Sequence, residues 1–105
     1  MRGEVYVIVD PLENIYQMNE KFIAGIQFSN HALDMLLERN ILEDWVSRAI
    51  TTSDRSEIGL DNNTHYIKAI PENGGRFLRV IVNERQNPKR VVTVFFDRRL
   101  KRRQP

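Results

Sequence analysis

Residues 64–97, THYIKAIPENGGRFLRVIVNERQNPKRVVTVFFD, decide how this chain folds. Three runs rich in β-branched and aromatic residues (THYIKAI, RFLRVIVNE and RVVTVFFD) are separated by Pro71-Glu72-Asn73-Gly74-Gly75 and by Gln86-Asn87-Pro88. Such runs, punctuated by turn residues at short intervals, predict antiparallel strands joined by hairpins. A fourth strand, SEIGLD, precedes them across Asp61-Asn62-Asn63.

Upstream the apolar period changes from two to 3.6. Ser29 is placed to cap a helix in which Ala32, Leu33, Leu36 and Leu37 form one stripe, and Asn40 is placed to end it in a left-handed conformation. A second helix follows in LEDWVSRAITT. It has acids at Glu43 and Asp44 in its first turn and an apolar face of Leu42, Trp45, Val46, Ala49 and Ile50. EVYVIVD (4–10) reads as a further strand, and residues 12–25 are ambiguous between helix and loop. The expected fold is therefore α+β: two helices on one face of a three- to four-stranded antiparallel sheet, with an extra N-terminal strand or helix. Residues 1–25 form an N-terminal extension, 26–98 the α+β domain and 99–105 a basic tail.

Strand alternation sorts the side chains. Ile67, Ala69, Leu78, Val80, Val82, Val92, Val94 and Phe96 are wholly apolar and are assigned to the helix side. Tyr66, Lys68, Phe77, Arg79, Ile81, Val91, Thr93, Phe95 and Asp97 mix aromatic with charged residues and are assigned to the other face.

Composition narrows the function classes. At 105 residues and 41% apolar, the chain has the size of one domain with a real core. It has no cysteine, which removes disulfide frameworks and thiolate metal sites. No apolar run is long enough to span a bilayer, and no secretory layout opens the chain, so a cytoplasmic location is expected. Of 16 basic residues, five lie in Arg98, Arg99, Lys101, Arg102 and Arg103. The first 97 residues thus hold eleven basic against 14 acidic residues, a net of −3. The positive charge belongs to the tail. It suits a polyanion such as RNA, an acidic partner protein, or plain solvation.

His31 and His65 are the only histidines, and no ligand spacing surrounds them, so neither metal nor cofactor is expected. His31 falls in the first turn of the first helix, where the positive end of the dipole favours a neutral ring able to accept a proton. His31, Met35 and Arg39 follow one another at four-residue steps along one ridge. A histidine and an arginine on one flank could serve a phosphate, one moving a proton and the other holding charge. An ordinary solvated histidine and a surface ion pair would give the same pattern.

FSNHALDMLLERNI (28–41) resembles the opening of domain-of-unknown-function family 4258, which reads Ser, any residue, His-Ala, an arginine-rich helix, then Arg-Gly-Ile. Ser29, His31, Ala32, Arg39 and Ile41 fit; Met35 stands where the family often has Arg, and Asn40 where it often has Gly. The resemblance continues through the second helix, HYIKAI, RFLRVIV and VVTVFF, covering roughly residues 26–98. That family is similar to the small metal-independent ribonucleases of the barnase–EndoU–colicin–RelE group, including RelE-type and BrnT-type toxins. The resemblance implies an RNA-cleaving toxin paired with a cognate antitoxin. In it His31 would be the acid or base, Arg39 a phosphate clamp, and Arg79 and Thr93 residues of the open sheet face. Lys68 and Tyr66 join that face by alternation, and Arg98 and Arg99 offer further RNA contacts from the start of the basic segment. A non-catalytic interaction or RNA-binding module of the same fold is the alternative, and self-association stays open.

Overall fold

The computed structural model describes residues 21–100. Within them the order is β1 (Phe22–Ile23), β2 (Ile26–Phe28), α1 (Asn30–Glu38), α2 (Glu43–Thr51), β3 (Arg55–Ile58), β4 (Thr64–Ile70), β5 (Arg76–Asn83) and β6 (Arg90–Phe96). A short 3-10 turn, Pro71–Asn73, and the left-handed Gly74 link β4 to β5. The strand expected at 4–10 lies outside the described residues.

The class is α+β, but the sheet corrects the expectation. It is six-stranded and mixed, in the order β1-β2-β6-β5-β4-β3, rather than three- to four-stranded and antiparallel. β3 to β6 form the expected antiparallel meander. β2 adds to the free edge of β6 in parallel, Gln27 beside Arg90 and Phe28 beside Val91, and β1 folds back on β2. Pairing that depends on segments more than sixty residues apart, and strands of two and three residues, leave no local periodicity to read.

Both helices pack on one side of the sheet. Ala32 and Leu36 of α1, with Val46 and Ala49 of α2, meet Ile70, Leu78, Val80, Val82, Val91 and Val94 in the main core. The α1 stripe is rotated from the expected one: Leu33 and Met35 pack inward, whereas Leu37 is 79% exposed. Leu42, placed by the sequence on the α2 face, is exposed as well.

The β4 alternation is also the reverse of the assignment. Tyr66 faces Val80, and Lys68 faces Leu78, so both point to the helix side, while Ile67 shares the far face with Arg79. Isoleucines occur in both parities of THYIKAI; Ile70 fills the main core and Ile67 is buried behind the sheet, close to Phe77 and Leu100. A register shift at Ile81/Val82 likewise brings Val91, rather than Val92, into the core.

Candidate functional site

α1 is fastened at its start by one hydroxyl. Ser29 Oγ accepts from the Ala32 amide at 3.0 Å, the expected cap, and donates to the Val92 carbonyl at 3.1 Å. The helix therefore begins against β6. His31, in the first turn, is exposed, and its Nε2 lies 3.2 Å from Thr93 Oγ1.

Thr93 belongs to the sheet face turned away from the helices. Directly opposed residues share a face, so the register sorts this surface into rows. Thr93, Ile81, His65 and Glu57 form one row; Phe95, Arg79, Ile67 and Arg55 form the next. Thr93 and Arg79 are diagonal neighbours, about 7–8 Å apart by sheet geometry.

Arg79 is 6% exposed and sits at the centre of a charged chain. Its Nε donates to Asp97 Oδ2 at 2.9 Å, and Nη1 donates to His65 Nδ1 at 2.8 Å while lying 3.4 Å from Glu57 Oε2. A guanidinium only donates, so Nδ1 of His65 must accept. The ring proton is then on Nε2, which lies 3.1 Å from both oxygens of Asp61. At the other end Arg99 holds Asp97 through Nε and Nη2 at 3.0 and 2.9 Å. Asp61, His65, Arg79, Asp97 and Arg99 thus run in sequence across the sheet.

The carboxylates respond to these partners. Hydrogen bonding from Arg99 first, and from Arg79 as well, holds the Asp97 carboxyl well below the usual range despite burial. Asp61 is lowered by the Asn63 amide first and by His65 after it. Gly59 leaves room for this end of the chain: a Cβ there would lie 2.5 Å from His65 Nε2.

Arg79 is not fully consumed. Its Nη2 has no hydrogen-bond partner among the described residues, where the one sealed side-chain polar atom without a partner is Nε of Arg90. Arg79 and the Thr93 hydroxyl share one sheet face, and the His31 ring reaches that hydroxyl from the first turn of α1.

The other expected site residues go elsewhere. Arg39 caps the far end of α1, eight residues from His31 and so about 12 Å along the axis. Tyr66 bonds Glu84, and burial together with Glu84 pushes its hydroxyl up to about 12. Lys68 pairs with Asp54 at 3.5 Å. Arg99 clasps Asp97, and Arg98 lines a cleft beside Arg39. His65 was not foreseen as a site residue; strand alternation places it with Arg79 once the parity of β4 is read from Ile70. Among the described residues no His, Cys, Asp and Glu group is arranged to hold a metal ion, and no helix is long and apolar enough to cross a membrane.

Residues 28–96 match the family described as Domain of unknown function (DUF4258). The match spans well over half of the chain, from the end of β2 to the end of β6, and the chain belongs to this family. No curated protein and no solved structure gives a significant match.

Proposed function

We propose that the chain acts on RNA as a metal-independent endoribonuclease. The observation that supports this reading is the His31 ring 3.2 Å from Thr93 Oγ1, with Thr93 diagonal to Arg79 across β5 and β6. A phosphodiester between Thr93 and Arg79 would meet the Thr93 hydroxyl and Arg79 Nη2. The His31 ring would take the proton of the neighbouring ribose 2′-hydroxyl. That oxygen attacks phosphorus, the 5′-oxygen of the next nucleotide leaves and takes a proton from solvent, and a 2′,3′-cyclic phosphate remains. Arg79 would offset the charge gathering on the phosphoryl oxygens. Likeness to RelE-type and BrnT-type toxins supports the same chemistry and a cognate antitoxin, with the basic segment from Arg98 onward available to RNA or to an acidic partner.

A second reading, a non-catalytic RNA-binding module, is favoured by one observation: Nε and Nη1 of Arg79 are already committed to Asp97, His65 and Glu57. Incubating purified protein with total RNA, without added metal, separates the two. Fragments ending in cyclic phosphate, absent with His31→Ala, support cleavage. Intact RNA at excess folded protein overturns it; salt-dependent retention of that RNA then supports the binding module.

A further inference from the structure

A second site lies at the other end of α1, on the helix side of the sheet. There Arg39 at the α1 C-cap, Arg76 at the start of β5 and Arg98 just beyond β6 line one cleft of about 510 Å³. Trp45 and Phe96 wall it, and Asn73 adds a side-chain amide. The volume suits a small ligand.

Three features point to an anion. Among the described residues no carboxylate lines the cleft. None of the three guanidiniums has an ion-pair partner among the described residues, whereas Arg48, Arg79 and Arg99 do; Arg55, Arg85 and Arg90 also have none, but they do not share a cleft. Arg39 also leaves α1 where the dipole is negative, a favourable place for a cation but one that supplies no counter-ion. Like charges facing one cavity repel, and a bound anion removes that repulsion.

The aromatics narrow the ligand. Trp45 meets Phe96 edge to face, with centroids 5.9 Å apart, and the Arg76 guanidinium lies 5.1 Å over the Phe96 ring. Arg76 is thereby held in place by stacking. Guanidiniums beside an indole provide for a phosphate and an adjacent planar base.

We propose that this cleft binds the phosphate of a nucleotide, with the base lying against the aromatic wall, either as a free nucleotide or as one residue of a single RNA strand. Cleavage at His31 is not required for this binding. The two sites lie at opposite ends of α1.

Trp45 is the sole tryptophan, so its emission reports on the cleft directly. The titrations use His31→Ala protein, which keeps an oligoribonucleotide intact and makes the outcome independent of the nuclease reading. Adenosine monophosphate and a short oligouridylate are expected to change the emission saturably, and adenosine far less. Tighter binding of the oligomer identifies a strand as the ligand; equal binding identifies the free nucleotide. Oligomer binding should weaken with salt at a log–log slope of about −0.7, for one phosphate neutralised on a single strand. Arg39→Gln with Arg98→Gln, both exposed positions, should remove most of that slope while leaving the melting temperature in place. No emission change with either nucleotide probe, equal response to adenosine, equal binding of polyglutamate, or unchanged binding in the double variant would each overturn the proposal.

Discussion

Arg79 Nη1 donates to His65 Nδ1 across 2.8 Å, and this contact fixes the imidazole as the acceptor toward Arg79 and the donor toward Asp61. His65 is therefore a structural link in the charged chain, and the exposed imidazole is that of His31.

His31→Ala should lower RNA cleavage by about 10²–10⁴-fold, the usual range for loss of a positioned acid or base. The side chain is exposed, so the folding free energy should change by no more than about 0.5 kcal/mol. Cleavage rate and thermal melting, measured on one preparation, check both halves.

Asp97→Asn should cost about 3–5 kcal/mol, because it leaves the buried Arg79 guanidinium without its strongest counter-charge. Urea unfolding at neutral pH measures it. The pH dependence follows from the depressed carboxyl: its contribution is complete above the ordinary carboxylate range and is lost as pH falls below about 4 toward the folded-state value. Between pH 4 and 2 the wild-type midpoint should fall more steeply than that of the variant.

Tyr66 gives the opposite sign at high pH. Its folded-state value is raised to about 12, so the unfolded chain releases the proton first, and stability declines as pH rises from about 10 toward 12. A phenolate absorbance step near 12 in the folded protein, missing in Tyr66→Phe, is the expected result.

Gly59→Ala should separate His65 from Asp61, since the added methyl would lie 2.5 Å from Nε2 and 2.8 Å from Asp61 Oδ1. Overpacking of this kind costs about 1–3 kcal/mol. Imidazole ¹⁵N chemical shifts of His65, compared with the wild type, report whether the Nε2–H contact is lost.

Legibility in the sequence followed locality. Ser29 and Asn40 were readable because capping and left-handed termination are decided within one turn, and both occur as expected. The meander was readable because its turns announce themselves. Ile67 and Ile70 were not separable, since either parity of β4 buries an isoleucine and only the covering of both sheet faces decides between them. The same inversion moved Tyr66 and Lys68 off the proposed site and concealed His65. Arg39 was read as a neighbour of His31 because four-residue steps share a ridge, but a ridge two turns long also separates its ends.

The placement of β6 between β2 and β5 carries a consequence for biogenesis. β6, the last strand among the described residues, joins both halves of the sheet, so β2 and α1 lack their main seat until residues 90–96 exist. A ribosome-bound chain ending before that segment would hold α1 undocked, with its apolar side open to solvent, and the sheet would close only once residues 90–96 are made.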